Sequence, residues 1–136
     1  MKVAFAWAPA LFYMGLIWVL SSMELTALPI EDFPLRDKGV HMLEYGVLGF
    51  LVAHAARRTW PGRAPWRTFS VAVWITVLWG LLDEVHQAFV PGRSSEALDL
   101  VADTLGALTG AGARHAIGFA ARLGASTRTT AEESQR

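Results

Sequence analysis

Four apolar runs, each close to the length that crosses a bilayer, constrain this chain more than any other feature. They cover about Ala4 to Leu20, Gly39 to Ala56, Phe69 to Val90 and Leu98 to Phe119, the fourth being the least hydrophobic. A helix needs about 20 residues to cross roughly 30 Å of hydrocarbon. A helix is also the only open-chain structure that satisfies its own backbone groups in lipid. The runs therefore predict an all-α integral membrane protein, a four-helix bundle. The residues are 53% hydrophobic and 18% charged, whereas about a quarter of a soluble domain is charged.

The first run, preceded by Lys2, has the outline of a signal peptide. It is longer than the usual apolar region of such a peptide, and Ser21-Ser22 is not followed by a small-residue cleavage site, so it is expected to stay as a membrane helix. The absence of cysteine excludes disulfides and thiolate metal sites. Basic residues are few and lie in short connections, without the stripe that nucleic-acid binding requires, so no nucleic-acid partner is expected.

The basic residues set an expected orientation. One side collects Lys2, Arg57, Arg58, Arg63, Arg67, Arg114, Arg122, Arg128 and Arg136, nine in all, and the other only Arg36, Lys38 and Arg93. Lys and Arg accumulate on the cytoplasmic side, so both termini are expected there, with 21–37 and 91–97 outside. Trp60 and Trp66 beside the basic connection, and Trp18 near the outer end of the first helix, suit the two interfaces. Pro61-Gly62 and Pro65 predict a tight turn between the second and third helices. Asp37 is expected to cap the second helix, Pro91-Gly92 to end the third, and Ser94 or Ser95 to cap the fourth, with Glu96 at its positive end. One membrane domain is expected over 1–121. The Thr-, Ser- and charge-rich remainder, 122–136, reads as a disordered cytoplasmic tail.

The polar residues inside the runs share one depth. Lys38, His41, Glu44 and Tyr45 recur at helical spacing on the second segment, the last about 10 Å below the outer surface. Asp83, Glu84 and Gln87 lie within about 12 Å of that surface, and Asp99 and Asp103 within about 8 Å. Arg93 stands in the connection between them. Charges in the membrane cost several kcal/mol on insertion scales, at least ~2.5–3.5 each at the centre, so these should face inward and pair or line a wet cavity. Ala102, Gly106 and Gly110, spaced by four, form a face of small residues that admits another helix backbone closely.

The stretch Lys38-Gly-Val-His41-Met-Leu-Glu44-Tyr45-Gly-Val-Leu-Gly49 resembles the VanZ-like family. So does Asp83-Glu84-Val-His-Gln87-Ala-Phe-Val-Pro91-Gly92-Arg93, followed by Asp99 and by Asp103 with Gly106 and Gly110. The sequence departs at Asp103-Thr104, where the family often has Asn, which bears on fine geometry. The resemblance covers most of the chain. It implies a small multi-pass protein of the bacterial cytoplasmic (inner) membrane with these residues at its site. The family's namesake is associated with low-level resistance to the glycopeptide teicoplanin. The resemblance supplies no reaction.

Three functions fit the residues. The first is an outer-leaflet polar site for an anionic cell-envelope or lipid-linked ligand, with Arg93, Lys38 and His41 on a phosphate and the carboxylates positioning it or acting as acid and base. The second is an enzyme acting on a lipid phosphate through a divalent cation, magnesium or manganese, held among His41, Glu44, Asp83, Glu84, Asp99 and Asp103. The third is a non-catalytic accessory protein or an ion-coupled transporter subunit whose acids are a packing network or a relay. Bland alternatives stand beside each residue. Lys38 would snorkel, Tyr45 would be an interfacial anchor, Arg93 would be a headgroup-level charge, and His86, facing away from Gln87, would have a structural or outer-edge role.

Overall fold

The computed structural model describes residues 2–23, 34–91 and 96–133, with side chains described at 3–23, 38–91 and 96–127. The described residues form four helices and no strand: α1 (Lys2–Ser21), α2 (Pro34–Thr59), α3 (Pro65–Gln87) and α4 (Ala97–Glu133). Three of them, through Val3–Ser21, Lys38–Thr59 and Pro65–Gln87, are long and apolar enough to cross a membrane. The fourth expected span falls short on apolarity, because α4 carries Asp99 and Asp103 among alanines, glycines and threonines.

The boundaries follow from local chemistry. Helix α2 begins at Pro34, earlier than Asp37, since proline costs nothing in the first turn, where no intrahelical N–H bond is lost. Asp37 thus lies inside the helix and does not cap it. Helix α3 opens on Pro65 after a turn in which Arg63 N donates to Trp60 O at 3.1 Å. It closes at Gln87, before Pro91, whose ring would clash with the carbonyl four residues back, that of Gln87. Arg93, Ser94 and Ser95 lie outside the described residues. Helix α4 runs on through the segment expected to be a disordered tail as far as Glu133. Ala120, Ala121, Arg122, Leu123 and Ala125 are good helix formers, and they outweigh the threonines and serines that follow.

Cross-contacts show that consecutive helices alternate in direction. Trp7 Nε1 of α1 donates to Thr59 Oγ1 at the far end of α2 (2.8 Å), while Ser21 at the other end of α1 meets Asp83 of α3 (2.8 Å). Thr68 at the start of α3 meets His115 of α4 (3.1 Å), and Glu84 near its end accepts from Glu96 N (3.2 Å). Helices α2 and α4 therefore run parallel, and they make the most extensive contact in the bundle. Their seam is nearly backbone on backbone. A Cβ on Gly106 would strike Met42 O and Gly46 N, and one on Gly110 would strike Gly46 O. On the other side, a Cβ on Gly49 would come within 2.8 Å of Ala107 O. The face of small residues thus does what its spacing predicts.

The buried apolar core is thin: Ala10 and Ile17 of α1, Tyr45, Leu48, Val52 and Ala53 of α2, Ala72 of α3 and Ala111 of α4. Phe5, Phe12, Leu43, Trp74 and Leu82 point outward and are exposed. A helix apolar all round belongs in a hydrocarbon environment, and that is the surface these helices present.

Candidate polar and metal site

All four helices deliver polar side chains to one end of the bundle. From α2, Lys38 Nζ lies 2.5 Å from Asp99 Oδ1 and 2.8 Å from Glu96 Oε2, both contributed by the start of α4. One turn deeper, His41 Nδ1 and Asp103 Oδ1 are 3.0 Å apart. Another turn deeper, the Tyr45 ring lies parallel to His41 (4°, centroids 6.4 Å apart) and beside the carboxylates of Asp83 and Asp103. From α3, Gln87 Nε2 donates to Asp83 Oδ2 at 2.9 Å, and Ser21 Oγ of α1 donates to the same oxygen at 2.8 Å.

Most of the residues singled out from the sequence meet here. His41, Tyr45, Asp83, Glu84, Gln87, Asp99 and Asp103 are all buried, and Lys38 is half-buried. They divide into two groups around Tyr45. Asp83 and Glu84 are neighbours, about 100° apart on a helix, so they cannot face the same partner. Asp83 turns to α1, and Glu84 turns to α4. Glu44 is half-buried and lies near Tyr13 of α1 as well as Tyr45. It is 100° from Tyr45 and marks the edge of the face. Arg93 is outside the described residues and is not placed.

The group around α4 has the composition of a cation site. One ligand atom each from His41, Glu84 and Asp99 lies within 4.8 Å of the others, and the three residues come from three helices. The pair with Asp103 holds the His41 ring. A proton on Nδ1 donated to Asp103 leaves the lone pair on Nε2, the usual way a carboxylate orients a metal-binding histidine. Asp103 Oδ2 has no hydrogen-bond partner among the described residues, and the residue is fully buried. Asp99 belongs to this group, whereas Asp103, four residues on, meets His41 at Nδ1. Among the described residues, the buried acids Asp83, Glu84, Asp99 and Asp103 share this end with Lys38 and His41.

The sequence missed several contributors. Ser21 brings α1 into an arrangement expected from the second, third and fourth helices and the 91–97 connection; a serine at a helix end carries no distinguishing signal. Glu96 pairs with Lys38, and its own N–H reaches Glu84. Gly80 makes room for the centre, since a Cβ there would stand 2.9 Å from Asp103 Oδ2 and 3.1 Å from Tyr45 Cε1. His86 stacks on Trp18 (centroids 4.1 Å apart) and meets Ser22 Oγ at 2.8 Å. Beside the site, a groove of about 480 Å³ between α3 and α4 runs from Glu84 and Glu96 along Leu81, Val85, Phe89 and Leu100. It joins a carboxylate-bearing end to a hydrocarbon-facing wall.

A family model described as VanZ/LLP1 matches residues 5–118, a stretch that includes every described side chain of this site. Neither the curated proteins nor the solved structures contain a match.

Proposed function

The chain belongs to the VanZ-like family of membrane proteins, and on that premise we propose that its polar end holds a divalent cation serving an anionic, lipid-linked ligand of the cell envelope. The observation that carries this reading is the convergence of His41, Glu84 and Asp99 ligand atoms within 4.8 Å. A direct anion clamp by Lys38 and His41 is less well supported, because both already face carboxylates. An incoming phosphate would meet those acids first. A magnesium or manganese ion held by His41, Glu84 and Asp99 would reverse the sign of the site and supply a partner for phosphate oxygens. The amphipathic groove beside Glu84 suits a ligand with a hydrocarbon chain. The lysine and arginine distribution supports a site facing outward from the bacterial inner membrane. A link to glycopeptide susceptibility is a proposal at the level of the family, tested by expression in a teicoplanin-sensitive host.

A second reading has one observation in its favour. Lys38 already supplies Asp99 and Glu96 with a positive charge, as a packing network would. Thermal unfolding of the detergent-purified protein under MnCl2 or MgCl2 separates the two. A cation that binds only the folded state, at a hundred times its Kd, adds about 2.7 kcal/mol of stability. A rise in Tm that Asp99→Asn abolishes supports the cation site. No shift with either metal, together with a higher Tm in the carboxylate-to-amide variants, leaves a packing network and a non-catalytic accessory protein.

A further inference from the structure

The opposite end of the bundle carries a second, basic cavity. The ion pairs between described side chains, Lys38 with Glu96 and Asp99 and His41 with Asp103, lie at the polar end. At the other end, Arg57 of α2, Arg63 of the α2–α3 turn and Arg122 of α4 line one cavity of about 300 Å³. No aspartate or glutamate with a described side chain shares that end. Trp60 forms part of the wall and lies beneath the Arg63 guanidinium, 5.6 Å from ring centroid to Cζ. The buried Thr68 closes the cavity toward the core.

The packing of α4 forces like charges together here. A Cβ on Gly118 would lie 3.2 Å from Arg114 Nη1 and 3.5 Å from Arg57 Nη2. Its absence lets two guanidinium groups approach one patch of backbone. Arg114 Nε donates to His54 Nδ1 at 3.2 Å, so among the described residues this arginine is paired with a ring nitrogen and not with an acid. The preference for basic residues on the cytoplasmic side accounts for the number of arginines, but not for their convergence on a cavity from three elements. Three arginines lining one cavity, with no carboxylate beside them among the described side chains, form a site whose complement is an anion, and their planar forks match phosphate oxygens.

We propose that this cavity binds a phosphate group, held by Arg57, Arg63 and Arg122, at the membrane surface opposite the cation site. The same chemistry is offered by an anionic phospholipid headgroup and by free phosphate. The test uses the full chain in neutral detergent, with adducts counted by native mass spectrometry and Tm read in parallel. One arm adds phosphatidylglycerol, with phosphatidylcholine as the neutral control. The other adds inorganic phosphate against chloride at equal ionic strength. Binding in the first arm alone identifies a lipid headgroup, and binding in both identifies the phosphate itself. The double variant Arg57→Gln/Arg122→Gln is expected to bind about tenfold more weakly or worse, from the loss of charged hydrogen bonds. Arg63→Gln, in an exposed turn, gives the same direction of change without disturbing a helix contact. Arg67→Gln removes an equal charge from the same surface but from outside the cavity, and should bind like the wild type. The proposal is overturned if neither arm shows binding, or if Arg67→Gln loses as much as the cavity variants.

Discussion

Lys38 should oppose the cation that the neighbouring acids are proposed to hold, and removing its charge should strengthen metal binding. Lys38 Nζ lies 2.5 Å from Asp99 Oδ1, and Asp99 is one of the three proposed ligands. An ammonium and a divalent ion about 5 Å apart, at an effective dielectric of about 40–80, repel by about 2–3 kcal/mol. Lys38→Gln keeps a donor near Glu96 and removes the charge, so Mn2+ affinity should rise about 30- to 150-fold. Lys38→Arg, which keeps the charge, should stay near wild type. The metal-free Lys38→Gln protein should be less stable by about 2–3 kcal/mol, since Asp99 is then a buried carboxylate without its counter-charge. Titration of free Mn2+ by its electron paramagnetic resonance signal, with Tm measured at zero and saturating metal, reads both effects. If Lys38→Gln binds Mn2+ no better than the wild type, the ammonium is not competing for that position. The His41–Glu84–Asp99 group would then not be where the ion sits.

Three other outcomes follow from the geometry. Gly80→Ala places a methyl group 2.9 Å from Asp103 Oδ2; it should push that carboxylate off His41, cost about 1–3 kcal/mol in unfolding experiments, and weaken the Mn2+ shift. Gly110→Leu drives a side chain into the Gly46 carbonyl and should lower Tm more than Gly112→Leu, whose Cβ position is open. A cysteine replacing Ser94 should react with an impermeant maleimide on intact cells, and one replacing Arg63 only after lysis; the reverse pattern would invert the proposed orientation.

The helices were legible because a membrane span announces itself by length and apolarity, with little dependence on tertiary context. Their ends were less so. Pro91 marks the end of α3, but its steric effect falls four residues earlier, at Gln87. Pro34 looks like a helix breaker, yet begins α2. The polar residues were legible because a charge in an apolar helix stands out, and the alternation of helix directions then brings them to one level. What sequence spacing could not resolve was partnership. Asp83 and Glu84 are adjacent in the chain and part ways at the site, one to Ser21 and Gln87, the other toward Glu96. Glu44 sits on the periodic face with His41 and Tyr45, but at its edge, near Tyr13 of α1. Gly80 was invisible, because a glycine's contribution is the space it leaves, which only its neighbours define.

Helix α4 joins fold and site in one equilibrium. It is too polar to be counted among the helices that cross a membrane on apolarity alone, so its place depends on α2. Two kinds of contact hold it there. Along the seam, Gly106 and Gly110 let backbones touch, gaining dispersion contacts that a larger side chain would forfeit. At the polar end, Lys38 and His41 meet Asp99 and Asp103. The second contact is favourable only if the buried acids keep their counter-charges, and a bound cation would add one. Docking of α4 and assembly of the His41–Glu84–Asp99 group are therefore the same event seen from two ends of a helix, since α4 brings Asp99 to residues held by α2 and α3. Whatever loosens the glycine seam should weaken the cation site, although Gly110 is eleven residues, about 16 Å, from Asp99. Whatever binds at the acids should tighten the seam by the same free energy. A bundle with so thin an apolar core has few other means of holding its fourth helix, and this makes the acids part of its architecture as well as its candidate chemistry.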